Sequence, residues 1–588
     1  MATRTRQHFW RMATLKLMLG RVPILFLLAF PVFAQSPCDN TPAYSPCEFV
    51  FDLGAEAGAH PNPYTDVELQ AEIRSPSFRT FLMPAFWDGA NKFVIRFVPI
   101  EAGQWTYKFT SNIPSLDGKQ GTFTAAASEF PGYVHPANVH HWWTDNKQPH
   151  LWMGTVADRL GFMSADEFSR VLSTITAEKY NHVRVSILGD PGDRSRVWPG
   201  REPNVQYFDE LDARILQLHK KGITTDLVLA ASPDHIRSIF PDWQSRERFL
   251  RYVIGRYGAL NITWGGVMDW EDDRDGRPLM KEIGLALKKH DSYGHPRSSN
   301  CRITSTPLLP DGWMDFVITN SMDDQLGSIE HQLYTVPFVG ITTAAHLWNT
   351  TMNGQYPVIR DDAHGMAKAW FDFISDTRHW ELEPYFDVDN ARAVALEGIE
   401  YINYITTFAP VEVEVEKHGY DVIWFNPVNG ETAEAKKYKG EHFTGDVPDK
   451  SHPWVLMIAR EGRKESMLKS YKFDSRPVPV QEVETIPQKV PYTLVQPSTD
   501  PLIVAVPTQF AVKLTRTTRA TRQMMYLWTG DVAADGEGFR AFGTGAEGTF
   551  SIPPTIANNY PAVLSIRVTA LNANGKAYSA DKVFQLKK

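Results

Sequence analysis

Cysteine is scarce: Cys38, Cys47 and Cys301 are the three in 588 residues. That is too few for a fold held together by disulfides. Cys38 and Cys47 lie nine apart in an N-terminus read as exported, and they are expected to pair. Cys301 is expected to be a buried thiol rather than a nucleophile, because no His/Asp arrangement brackets it in sequence. An excess of basic charge is also missing. Lys and Arg number 60 against 68 Asp and Glu, a net charge of −8, which argues against nucleic acid or an anionic lipid surface as a partner. Beyond residue 34 no stretch is long and apolar enough to cross a bilayer. The sequence shows no internal repeat and no low-complexity block.

The first 34 residues read as a secretory signal. Arg4, Arg6, Arg11, Lys16 and Arg21 form a basic segment without an acid, Val22 to Phe33 is a short apolar core, and Val32-Phe33-Ala34 is a small-residue cleavage site. Removing those five basic residues leaves 55 against 68, or −13. The expectation is a secreted or periplasmic protein with no membrane span after signal removal. Aromatic residues are plentiful, with 17 Trp, 21 Tyr and 33 Phe. Flat rings are stacking platforms for sugars, but most aromatics are simply core.

The chain is too long for one hydrophobic core, and its pattern changes along its length. Residues 35–130 carry short period-two runs, among them Glu48 to Asp52, Val67 to Ile73, Lys92 to Phe97 and Gln104 to Phe109, which predict a β-sandwich. Within it, Phe86-Trp-Asp-Gly89, Arg96-Phe97 with Pro99, and Gly103-Gln-Trp105 with Tyr107 resemble the small β-sandwich that often precedes the barrel of certain bacterial glycoside hydrolases. Residues 131–377 alternate strand and helix, the rhythm of a (β/α)8 TIM barrel. Strands are predicted at His150 to Thr155, His182 to Ile187, Thr224 to Ala231, Ile262 to Met268, Arg297 to Thr306, Asp315 to Thr319, Val336 to Gly340 and Leu347 to Tyr356. Ser164-Ala-Asp-Glu167 is a capping box that opens the first helix. Residues 378–474 predict another β-sandwich, and Val422 to Glu431 is similar to the β-sandwich often appended to such barrels and sometimes labelled collagen-binding, a label not carried over here. Residues 475–588 predict a Pro-rich linker and an immunoglobulin-like β-domain. The fold class is therefore a multidomain TIM barrel flanked by β-sandwiches.

The chemistry is expected in Asn261-Ile-Thr-Trp-Gly-Gly-Val-Met-Asp-Trp-Glu-Asp-Asp-Arg-Asp275, a strand that runs into carboxylates at the catalytic face of a barrel. Leu151-Trp-Met-Gly-Thr155 with Asp158, and Leu250 to Ala259 followed by Asn261-Ile-Thr-Trp264 and an acid five residues on, are similar to apiosidase-like glycoside hydrolases. The resemblance implies Asp269 as acid/base and places Asp158 and Trp264 at the substrate; the chain departs from the family in carrying Val267-Met268 where glycines are usual. Glycosidic hydrolysis uses two carboxyl groups, one a proton donor with a raised pKa. Glu271 is read as an alternative donor or as a neighbour that keeps the donor protonated.

The second carboxylate is not evident. In retaining barrels of this type it ends strand seven, yet Val336 to Thr343 holds no acid, and about seven residues separate that strand from the predicted strand eight, fewer than a βα crossover needs. Glu330 is the best substitute, with Asp323, Asp324, Asp361 and Asp362 behind it. Trp348, Asn349, Asn353 and Tyr356 are candidate sugar contacts. His135, His140 and His141 have only Asp145 nearby at irregular spacing, so no metal is expected, and no cofactor. The reading is a glycoside hydrolase whose partner is a polysaccharide or oligosaccharide. The alternative is a carbohydrate-binding or adhesion protein that has lost its second acid. Oligomeric state is not legible.

Overall fold

A computed structural model describes residues 36–433, 436–462, 490–518, 521, 523–532, 536–554 and 561–588. The signal expected over residues 1–34, and most of the linker, lie outside the described residues. Among the described residues no helix is long and apolar enough to cross a membrane.

Seven parallel strands form a curled sheet at the centre. In spatial order they are Ile262–Trp264, Thr224–Val228, His182–Ser186, Gly154–Val156, Tyr356–Ile359, Phe338–Thr342 and Val317–Thr319. Except for Arg184, Thr155 and Val156, which are half-buried, their residues are buried, as expected for a sheet covered by helices on one side and filled by its own side chains on the other. The first helix, Ala165–Ala177, begins at the capping box: Ser164 accepts from the Glu167 amide while Glu167 reaches back to the Ser164 amide.

Two predicted strands differ. The segment expected as strand five, Arg297 to Thr306, makes a single parallel bridge from Arg297 to Trp264. It still closes the ring. Ser298 and Asn300 amides donate to the Trp264 and Gly265 carbonyls, and on the other side the Asp315 and Asn320 amides donate to the Arg297 and Ile303 carbonyls. Its run of short polar residues replaces ladder bonds with side-chain bonds: Ser299 Oγ donates to Val267 O, Asn300 Nδ2 donates to Gly265 O, and Ser305 Oγ accepts from the Ile318 amide. The segment expected as strand eight is a 3-10 turn, Ala344–His346, followed by the helix Leu347–Met352, and the strand begins only at Tyr356. Gly354, at φ +74°, terminates that helix in the left-handed conformation a C-terminal cap favours. The connection from strand seven to strand eight therefore runs from Thr343 to Gln355 and has the helix a crossover needs. It contains no acid.

At the N-terminal side, a three-stranded sheet (Cys47–Asp52, Lys92–Phe97, Phe86–Trp87) and a four-stranded sheet (Thr80–Pro84, Leu69–Arg74, Gly103–Ser111, Gln120–Ala125) are antiparallel. Cys38 and Cys47 form a disulfide with Cα atoms 5.3 Å apart, and Cys301 is a buried free thiol. These sheets dock on the barrel through a buried ionic network. Arg96 binds Asp212 and Glu48, each at 2.8 Å, while Arg256 binds Asp212 and Asp88, each at 2.8 Å, and donates to Tyr252 Oη at 2.9 Å.

After the barrel comes a seven-stranded antiparallel sheet. Its long strand Val411–Phe425 pairs with Val388–Asp389 in its first half and with Trp454–Arg460 in its second, changing neighbours across an irregularity between Glu414 and His418. One face encloses its own core around Tyr401, Val413, Tyr420 and Leu456, and the other, with Ile402, Tyr404, Phe425 and Met457, joins the barrel core. The last region has a three-stranded and a five-stranded sheet sharing a core around Phe510, Trp528, Ile566 and Phe584. It leans on the barrel helix Leu326–Leu333, where Leu326, Ile329 and Leu333 pack with Leu527 and Leu571.

Candidate functional site

Strand Ile262–Trp264 ends in Gly265 and Gly266, and both glycines are needed for the approach of the irregular fifth segment. A Cβ on Gly265 would come within 2.8 Å of Asn300 Nδ2, and Gly266 takes φ +59° against Ser298 and Ser299. Val267 then bridges Ala230, and the backbone turns at Asp269, whose φ of 52° and ψ of 38° are left-handed. Asp and Asn tolerate that region better than other non-glycine residues. The turn swings the Asp269 carboxylate to the C-terminal rim, where its side chain stays 40% exposed.

Charged groups of both signs surround it. Arg302, on the fifth segment, lies 3.8 Å from Asp269 and binds Asp272. Arg184, inward-facing on strand two, clamps Asp158 through Nε and Nη2 and donates to Asn300 Oδ1 at 3.2 Å. Burial raises the Asp269 pKa and Asp272 adds to the rise, while Arg302 and Arg184 oppose it. Glu271, also part-buried, accepts the backbone amides of Arg302 at 3.1 Å and Ile303 at 3.4 Å. Burial pushes it up to about 7 against the pull of those amides, with Asp269 adding repulsion. Two neighbouring part-buried carboxyls, both with raised proton affinity, are an arrangement that can hold and deliver a proton near neutral pH.

Strand order brings some expected residues here and takes others away. Asp158 is at the rim, fixed by Arg184. Trp264 is fully buried and donates its indole N–H to Asp291 at 3.0 Å, a core role that aims Asp291 rather than a sugar contact. Trp348 lies on the helix after strand seven and packs on Tyr404, Phe425 and Phe373, facing the following domain. Asn353 Oδ1 accepts from Ser328 Oγ and from Arg392, which also donates to the Asn349 carbonyl. Tyr356 starts the last strand, at the opposite end of the barrel from Asp269, with its hydroxyl 2.8 Å from His141 Nδ1. These four therefore do not join the rim.

The substitute acids each have partners of their own. Asp323 is tied to Thr544 and Asp324 to Arg392, both across domain contacts. Asp361 caps the Ala344 amide and Asp362 the His364 amide. Glu330 is enclosed on its helix with each oxygen accepting a hydroxyl at 2.7 Å, from Thr304 and Thr306. Burial raises it to about 7 despite those bonds. Because its folded pKa lies above the ordinary 4.5, the native state keeps this proton between those values and stability falls as pH rises through that window. Glu330→Gln retains both hydroxyl contacts without a charge. It is expected to abolish that loss, leaving the variant about 3 kcal/mol more stable relative to wild type at pH 8 than at pH 4, as read by urea unfolding at the two pH values.

Arg184, Asn300 and Arg302 are the site residues that sequence reasoning missed. Arg184 had a signal: it alternates with His182 and Ser186 on a strand otherwise buried, and a charge in that register must face the barrel interior. A separate cleft of about 590 Å³ lies between the helix Met366–Ser375 and the third domain, but its Lys368 and Asp372 are paired with each other and it holds none of the rim carboxylates. The rim is the better candidate on chemistry.

Residues 40–112 match a family described as a domain of unknown function, DUF5060. No curated protein matches the chain in sequence. Among solved structures, a protein from Bacteroides vulgatus assigned by inference as a glycoside hydrolase aligns with 72% of this chain and 100% of its own at a TM-score of 0.59 and 16% identity. The two share a fold. A family 5 glycoside hydrolase, also from Bacteroides vulgatus, aligns with 56% of this chain and 94% of its own, with a TM-score of 0.49 and 13% identity.

Proposed function

We propose that this protein is an exported glycoside hydrolase of the apiosidase-like kind, acting on a polysaccharide or oligosaccharide, with Asp269 as its acid/base. The supporting observation is the carboxyl pair at the end of barrel strand four. Asp269 is reachable from solvent and its proton affinity is raised, so it can touch a glycosidic oxygen. Glu271 has its carboxylate tethered by two backbone amides, so it acts on Asp269 as a positioning residue, not on substrate. Arg184 with Asp158 and Asn300 supplies a fixed hydrogen-bonding wall for sugar hydroxyls.

A second reading rests on one specific observation. Strand seven ends at Thr342 and the connection from Thr343 to Gln355 contains no carboxylate, so the barrel could bind a glycan without cleaving it. Incubating the purified chain with a panel of plant and microbial polysaccharides and aryl glycosides separates the two. Released reducing ends or aryl alcohol support hydrolysis. Saturable binding by calorimetry with no product release would leave the binding reading in its place, and neither turnover nor binding would remove both.

A further inference from the structure

At the end of the barrel away from Asp269, three segments distant in sequence meet. The hairpin of Val134–Ala137 and His141–Thr144 brings His140 and His141, the helix Leu326–Leu333 brings His331, and the first strand of the following sheet, Glu383–Tyr385, brings Glu383. One donor atom from each of His140, His331 and Glu383 lies within 4.8 Å of the other two. His140 Nδ1 is 3.1 Å from Glu383, His331 Nε2 is 3.4 Å from Glu383 Oε2, and His141 Nε2 is 3.4 Å from Glu383 Oε1. Ligands at about 2.0–2.2 Å around a tetrahedral ion stand roughly 3.3 Å apart.

The hydrogen bonds around the cluster sharpen the match. His140 Nε2 sits 2.9 Å from the Tyr334 carbonyl, a contact that places the ring proton there and leaves Nδ1 with its lone pair toward Glu383. His141 Nδ1 is similarly held by the Tyr356 hydroxyl at 2.8 Å. His331 is 1% exposed, and neither of its ring nitrogens has a hydrogen-bond partner; His141 Nε2 also has none. A buried imidazole with both nitrogens unbonded is costly unless something accepts a lone pair. Gly354 preserves the room beside it, since a Cβ there would come within 2.6 Å of His331 Nε2. The Glu383 side chain is 41% exposed, which leaves a route in for an ion.

We propose that His140, His331 and Glu383 bind a divalent transition-metal ion, zinc by the nitrogen-rich donor set, with the fourth position taken by His141 or water. The site lies at the N-terminal face of the barrel, where side chains serve stability. The ion is structural: it fastens the hairpin before the barrel, a barrel helix and the domain after it. It is independent of the hydrolase reading, because it shares no residue with the Asp269 rim.

The test uses the full chain, stripped with a chelator and dialysed. Adding Zn2+ is expected to give one bound equivalent by elemental analysis and calorimetry, and a higher thermal midpoint; adding Co2+ instead is expected to give the visible spectrum of a tetrahedral ion with nitrogen ligands. Glu383→Gln and His140→Ala should each weaken Zn2+ binding at least tenfold, whereas His135→Ala, in the same hairpin but paired with Asp145, should leave it unchanged. Should a cluster variant fail to fold, the stoichiometry and Co2+ spectrum of the wild-type chain still decide. Failure of the wild-type chain to bind Zn2+ or Co2+ would overturn the proposal and leave a buried Glu–His ion pair, as would binding that His135→Ala weakens as much as Glu383→Gln does.

Discussion

Asp269→Asn is expected to lower hydrolysis of an accepted glycoside by about 10²–10⁴-fold, the usual contribution of a positioned acid or base, with little change in thermal midpoint. The small stability effect follows from the local structure. Asp269 is part-exposed, its one ion pair is a long contact to Arg302, and Asn tolerates the same left-handed backbone. If Asp269 donates the proton, the loss should be smaller for aryl glycosides whose leaving group needs no protonation. Arg302→Ala supplies the matching pH test. Arg302 pulls the Asp269 pKa down, so its removal favours the neutral carboxyl, the donor stays protonated to higher pH, and the alkaline limb of kcat/KM moves upward. An unchanged rate in Asp269→Asn would end the assignment, and an alkaline limb that stays put or moves down in Arg302→Ala would mean that Asp269 is not the proton donor that sets it.

Asp212→Ala should be strongly destabilising, by about 3–5 kcal/mol, because it removes the anion that two buried cations share. Asp212 Oδ2 holds both Arg96 and Arg256, whose side chains are 5% and 0% exposed. Arg256 keeps Asp88, and Arg96 keeps Glu48, so the loss is of one shared anion between two cations that then repel. Their rings of contact with Phe86, at 5.2 and 4.4 Å, hold the two guanidinium groups close and prevent them from turning out to water. Urea unfolding would show it, with Asp372→Ala as the surface comparison. Asp372 pairs with Lys179 and Lys368 in the open, and its loss should cost less than about 1 kcal/mol. Equal effects from the two would mean that the network does not bind the N-terminal sheets to the barrel.

How much could be read in the sequence depended on how local each signal was. The capping box at Ser164 and the acid-bearing end of Ile262–Trp264 need only a few neighbouring residues, and the alternation of strand and helix exposes the barrel. The helix Leu347–Met352 is not legible locally, because Leu-Trp-Asn-Thr-Thr-Met, half apolar with two threonines, fits a strand equally; what decides it is packing against the sheet after the barrel, from residues far along the chain. The fifth segment was misread for the opposite reason, since its serines and asparagine satisfy backbone groups that a strand would have paired. The fates of Asp323, Asp324 and Glu330 were beyond sequence reasoning, as each is settled by a partner from another element. So was the histidine cluster, where the carboxylate that His140 and His141 lack in their own hairpin arrives as Glu383 from another domain.

The left-handed turn at Asp269 has an evolutionary corollary. Most backbone positions resist the loss of a catalytic acid because the replacement must also fit the fold, but this one accepts Asn or Gly with little strain. If Asp269 is the acid proposed above, a lineage with this scaffold can pass from cleaving glycans to merely holding them in one substitution, with the Arg184–Asp158–Asn300 wall left in place. Lectin-like descendants should be recognisable by an intact arginine clamp beside an amide or glycine at the turn.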